Sequence, residues 1–135
     1  MRLHRIILPV SNIELAAQFY ARVLGTKGER VSPGRHYFTP SGPKGVVLAC
    51  YSPAEDGDAE EHGDRWQPHP LQYIYFSVAD LPAVRERCVS ADATGVTPIE
   101  DMPWGERIFY ANDPFGNPIS FVQEGTEFTG GQGDT

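Results

Sequence analysis

At 135 residues with 40% apolar content, the chain is long enough for one domain with a proper core, and it has no apolar run of membrane-spanning length. A formal net charge of −7 disfavours nucleic acid and anionic membrane as partners. Two cysteines without metal-ligand spacing, Cys50 and Cys88, read as reduced buried thiols of a cytoplasmic protein.

The basic and then apolar start, residues 1–10, carries too short an apolar run for a signal peptide, and no small-residue cleavage site follows it. Residues 2–10 predict a strand. Ser11 or Asn12 can cap a helix in which Ile13, Ala16, Ala17 and Tyr20 recur at helical spacing, with Gly25 closing it. Two short strands are expected at 29–32 and 36–39, joined through Pro33-Gly34, and a strand at 45–52 follows the turn at Pro40-Ser41-Gly42-Pro43. Residues 53–70 hold six acids and almost no apolar side chain except Trp66, which reads as an exposed, mobile connector.

The second half repeats the order of the first. A strand at 71–78 leads to Asp80, a cap for a helix with Pro82 near its first turn and Leu81, Val84 and Cys88 as its apolar face. Gly95 is expected to close that helix, and 96–99 to form a short strand. Residues 106–123 then form a hairpin around Asp113-Pro114-Phe115-Gly116-Asn117, where Asp113 accepts from backbone two residues on and Gly116 or Asn117 takes a positive φ. A Gly-, Thr- and acid-rich tail at 125–135, with one Phe, predicts disorder.

Two motifs carry a family resemblance. Trp104-Gly105-x-Arg107, an aromatic strand, and Asp113-Pro114-x-Gly116-Asn117-x-Ile119 resemble the last hairpin of the vicinal-oxygen-chelate (glyoxalase / bleomycin resistance / dioxygenase) family. At the other end, a strand, a cap and a helix ending Phe19-Tyr20-x-x-x-Leu24-Gly25 are similar to its opening module. The resemblance implies an α+β fold of two βαβββ modules that form a curved, open, cup-like mixed sheet with helices outside. Module one would take about 1–53, the connector 53–70 and module two 71–124, in one domain over 1–124. The modules would pair within the chain or exchange across a homodimer.

The family's usual metal ligands, His, His or Gln, and Glu, would fall by this resemblance on Arg5, Tyr73 and Ser120. Arg stays protonated and repels a divalent cation, so no metal and no cofactor are expected. A one-residue slip would substitute His4, but alternation along a strand turns His4 away from the face of Arg5. His36, His62 and His69 read as structural or solvated, His69 sharing parity with Tyr73. The inward set is then Arg5, Ile7, Leu48, Cys50, Tyr73, Ile108, Tyr110 and Ser120, with Trp104 as a lid or wall.

An Arg among tyrosines suits an anionic or planar small molecule. Each tyrosine equally suits core filling, and Arg5 could instead pair with Glu124. The resemblance therefore implies a metal-independent small-molecule-binding protein that sequesters an antibiotic or metabolite, working as a homodimer. The alternative is a lyase, isomerase or dioxygenase-type enzyme with a displaced metal site or Tyr/Arg acid–base chemistry. A third reading is an interaction domain whose cup is filled by its own side chains.

Overall fold

The computed structural model describes residues 1–58 and 72–128. Each half of the chain is a β-α-β-β-β unit. The first comprises β1 (Arg5–Pro9), α1 (Ile13–Leu24), β2 (Glu29–Ser32), β3 (Arg35–Phe38) and β4 (Val47–Tyr51). The second comprises β5 (Ile74–Val78), α2 (Leu81–Ser90), β6 (Glu100–Asp101), β7 (Arg107–Asn112) and β8 (Pro118–Gln123). They build two open four-stranded sheets, ordered β1-β4-β3-β2 and β5-β8-β7-β6. In each, the first strand is an edge and runs parallel to the last, while the other pairs are antiparallel.

Local chemistry accounts for the helix ends. The Asn12 side chain accepts the Leu15 N–H at 3.0 Å, and Gly25 takes a left-handed φ of 74° while donating to the Ala21 carbonyl. Asp80 accepts the Ala83 N–H in the same way. The second helix stops earlier than the sequence predicts, at Ser90, with Ala91 bonding back to Arg87 and Asp92 taking a φ of 67°. Gly95 serves a different purpose. A Cβ there would meet Asn112 Nδ2 at 2.8 Å, so glycine permits the bridge between Thr94 and Asn112. The strand expected at 96–99 is absent, since Pro98 interrupts it, and the pairing with β7 falls on Glu100–Asp101.

The acidic stretch also departs from expectation at its start. Asp56 accepts from Ser32 Oγ and the Gly34 N–H and pairs with Arg35 at 3.1 Å, while Glu55 caps Ile13 N–H at 2.7 Å. Residues 53–58 are thus fastened to module one. Trp66, His62 and His69, with the rest of the connector at 59–71, lie outside the described residues, as does the tail from 129.

One core runs through both units: Leu8, Tyr20, Phe38 and Cys50 belong with Ile74, Leu81, Phe109, Phe115 and Phe121. A polar knot crosses the same boundary. Asn117 Nδ2 donates to the Pro9 carbonyl at 2.8 Å and to Asp113 Oδ2 at 2.9 Å, and Tyr20 donates to Asp113 Oδ2 at 2.7 Å. Asp113 Oδ1 accepts the N–H groups of Phe115 and Asn117, both at 2.9 Å. The carboxylate expected to shape only its own turn therefore also holds the opposite module. Burial pushes the Asp113 carboxyl above the ordinary range, against the pull of Asn117, Tyr20 and the two amides.

Candidate functional site

Strand alternation sorts the predicted site residues by face. In the first sheet Arg5 aligns with Val47 and Ile7 with Ala49, whereas Ile6 and Leu8 align with Leu48 and Cys50. Leu48 and Cys50 are therefore not on the face of Arg5. They are buried in the core, and burial drives the Cys50 thiol strongly upward. Val47 and Ala49 take the expected inward places, because a parallel register pairs like faces between strands about forty residues apart. On that outer face Arg5 lies over the Tyr37 ring at 5.2 Å, and Arg35 lies over Tyr51 at 4.5 Å. Tyr51 also donates to Asp58, and burial followed by that bond pushes its phenol up to about 12.

In the second sheet, Tyr75 aligns with Ser120, and Ser120 with Tyr110; Ile108 aligns with Val122. These side chains share one face, and Tyr73, two residues before Tyr75, shares it too. Three tyrosine rings meet there, with centroids 5.5 Å apart for Tyr73–Tyr110, 6.4 Å for Tyr73–Tyr75 and 6.5 Å for Tyr75–Tyr110. Ile108 and Ser120 form the buried floor, and the Ser120 hydroxyl is committed to the Phe109 carbonyl at 3.0 Å. Tyr73 and Tyr75 remain about half exposed. Burial, then the hydrogen bond and charge interaction with Tyr75, then Tyr73 and last Glu106 push Tyr110 up to about 12. Its phenol is a donor throughout the neutral range.

The β6–β7 turn and the segment after β8 close one end of this face. Glu106 accepts the Trp104 indole N–H and the Phe128 backbone N–H, each at 2.8 Å. Glu127 accepts from Ser77 Oγ and Gly125 N–H, and Thr126 Oγ1 accepts Arg107 N–H. The start of the tail, expected to be disordered, is folded back as far as Phe128. At the β5 edge a groove of about 710 Å³ opens between the modules, bordered by Ile6, Val47, Tyr73, Tyr75 and Val84. Arg87 stands at its wall and donates to the Val23 carbonyl.

This arrangement of paired βαβββ units matches known proteins. The sequence matches the Glyoxalase/Bleomycin resistance protein/Dioxygenase superfamily over residues 2–121. The chain belongs to that superfamily. A superfamily member from Sphaerobacter thermophilus is 26% identical, with a TM-score of 0.68 over 92% of this chain and 98% of that one. A glyoxalase-related enzyme from Fulvimarina pelagi is 21% identical, with a TM-score of 0.72 over 91% and 88%. A glyoxalase/bleomycin resistance protein from Albidiferax ferrireducens shares 15% identity at a TM-score of 0.73 over 90% and 97%. An uncharacterized protein of Mycobacterium bovis is 42% identical over 50 residues, which is 37% of this chain and 33% of that protein. The chain thus matches about a third of that curated relative's length.

The divalent metal that the resemblance implies does not fit the three positions it assigns to the ligands. Arg5 is a guanidinium stacked on an aromatic ring, Tyr73 a phenol, and Ser120 a buried hydroxyl already bonded to a carbonyl. Among the described residues, no group of three or more His, Cys, Asp and Glu side chains converges. His4 has the parity of Ile6 and Leu8, opposite Arg5. His36 is buried, with Nε2 on the Lys27 carbonyl and Nδ1 accepting from Arg30. Among the described residues no helix is long and apolar enough to cross a membrane.

Of the predicted set, the structure gathers Tyr73, Ile108, Tyr110 and Ser120 on one face, with Trp104 at its end. Arg5 and Ile7 belong to the other sheet. Tyr75, Glu106 and Phe128 were missed. Tyr75 had a signal, its two-residue spacing from Tyr73; Phe128 stood out only as the one aromatic of a polar tail.

Proposed function

We propose that the protein binds a planar small molecule on the tyrosine face of the second sheet, without a bound metal. The observation that carries this reading is the Tyr73–Tyr75–Tyr110 cluster: three rings in mutual contact, Tyr73 and Tyr75 about half exposed, above a floor whose Ser120 hydroxyl is already paired. Clustered aromatic surface of this kind gains free energy when a flat apolar partner covers it. The neighbouring groove, shared through Tyr73 and Tyr75, gives such a partner room to extend. Tyr110 supports binding over acid–base catalysis, because a phenol held near 12 donates a hydrogen bond and takes up no proton near neutral pH. The protein acts in the cytoplasm as a homodimer, which covers the unpaired edges of β1 and β5 and brings the Arg5–Tyr37 face of one copy toward the tyrosines of the other.

The test is a thermal-shift screen of planar aromatic compounds on chelator-treated protein, verified metal-free by elemental analysis. Compounds that stabilise the wild type and lose that effect with Tyr73→Ala support the reading. Stabilisation that appears only when a divalent metal is restored, or that survives Tyr73→Ala unchanged, overturns it.

A further inference from the structure

We infer that the end of the tyrosine face bounded by Tyr75, Trp104 and Phe128 is a cation-binding cage, fitted to an alkylated ammonium group with Glu106 as counter-charge. The inference rests on the reading of this face as a ligand site and narrows its ligand class. These three aromatic residues and Glu106 line an open depression of about 430 Å³. All three remain exposed, Tyr75 at 50%, Trp104 at 50% and Phe128 at 57%, so ring surface is available to a guest.

The walls are positioned rather than adventitious. Glu106 receives the Trp104 indole N–H and the Phe128 amide N–H at 2.8 Å each, which ties two walls of the depression to one carboxylate. Alternation places Glu106 on the side of Ile108 and Tyr110. Both of these donors are neutral, so among the described residues its charge is left without a cation. Glu127, which anchors the returning segment on Ser77 and Gly125, likewise takes only neutral donors. Neither carboxylate has an ion pair among the described residues. Arg107, next in sequence to Glu106, has the opposite parity and pairs with Asp101 at 3.5 Å.

These features discriminate among ligand classes. An anion would meet the Glu106 carboxylate. A neutral aromatic would use the rings and leave the charge unanswered. An alkylated ammonium uses both, since aromatic faces attract diffuse positive charge. It also asks for no hydrogen-bond acceptor, which suits a carboxylate whose two oxygens each already accept one N–H. The depression exceeds a trimethylammonium head, so the planar part of the ligand would continue over Tyr110 and Tyr73.

The experiment uses the full chain with Trp66→Phe, which leaves Trp104 as the reporting tryptophan. Its emission is titrated with benzyltrimethylammonium, with choline, and with the carbon isostere of choline, in which carbon replaces the ammonium nitrogen. The expected result is saturable binding of both cations, with the isostere about tenfold weaker or worse. Glu106→Gln and Phe128→Ala, each checked for an unchanged melting temperature, should separately weaken cation binding about tenfold. An isostere that binds as tightly as choline, or cations that bind as well to Glu106→Gln, would overturn the cage. If neutral planar compounds bind and the cations do not, the cage alone fails. If neither class perturbs Trp104, the ligand-site reading falls with it.

Discussion

Replacing Asn117 by Ala would show how much of the fold depends on one amide. Asn117 is 2% exposed and spends its Nδ2 on both the Pro9 carbonyl and Asp113 Oδ2, so truncation removes one neutral and one charge-assisted hydrogen bond. At about 1 kcal/mol for the first and roughly 2 kcal/mol for the second, the loss is about 3 kcal/mol. For a domain of this size that lowers the melting temperature by about 10 °C. Tyr20→Phe takes only one of the four donors to that carboxylate and should cost about 1–2 kcal/mol. Because Tyr20 and Asn117 both serve Asp113 Oδ2, the double variant should depart from the sum of the singles by roughly 0.5 kcal/mol or more. Urea unfolding followed by fluorescence, with calorimetry for the melting temperatures, measures all three variants. An Asn117→Ala loss within about 0.5 kcal/mol of zero, or strict additivity, would refute the claim that this knot binds the modules.

Three further outcomes follow from other parts of the molecule. Hydrogen bonds from Ser32 and Gly34 and the charge of Arg35 lower the Asp56 carboxyl below its ordinary range, so its stabilisation is present above that range and fades as pH falls through the depressed value. The melting-temperature gap between wild type and Asp56→Asn should then be wide near neutral pH and close in acid; a gap independent of pH would contradict it. Gly28→Ala should destabilise by about 2 kcal/mol or more, since the site has φ of 65° and a Cβ would lie 2.7 Å from Phe38 and 2.8 Å from the Tyr37 carbonyl. An unchanged urea midpoint would be inconsistent with that crowding. Light scattering should give twice the mass of one chain at micromolar concentration, and a monomeric mass at every concentration tried would remove the homodimer.

What could be read in the sequence was local or periodic. The β7–β8 turn was legible because Asp113, Gly116 and Asn117 act within five residues of one another, and the helix caps Asn12 and Asp80 act within three. The face of Tyr73, Ser120 and Tyr110 came from the family resemblance, with strand alternation extending it to Tyr110. The side assigned to Leu48 and Cys50 depended on the β1–β4 register across an intervening helix and hairpin, which no local pattern fixes. The cage was hidden for a similar reason. Glu106 and Phe128 meet only because the chain doubles back after β8, and a polar tail gives no periodicity from which that return can be read.

The two modules also differ in how they meet. By their likeness, the β3–β4 turn stands where the β7–β8 turn stands, opposite the end of the other module's first strand. The β7–β8 turn is sealed to Pro9 through Asn117, whereas Pro40 and Ser41 only border the groove that runs past Val78 and Asp80. One turn is thus locked to the opposite module, while the groove side is tied instead at the helices, where Arg87 donates to the Val23 carbonyl. Relative rocking of the halves should pivot about the locked turn, with the largest excursion along the β5 edge. If the halves rock in this way, the repeat would give the domain a pivot on one side and a mouth on the other.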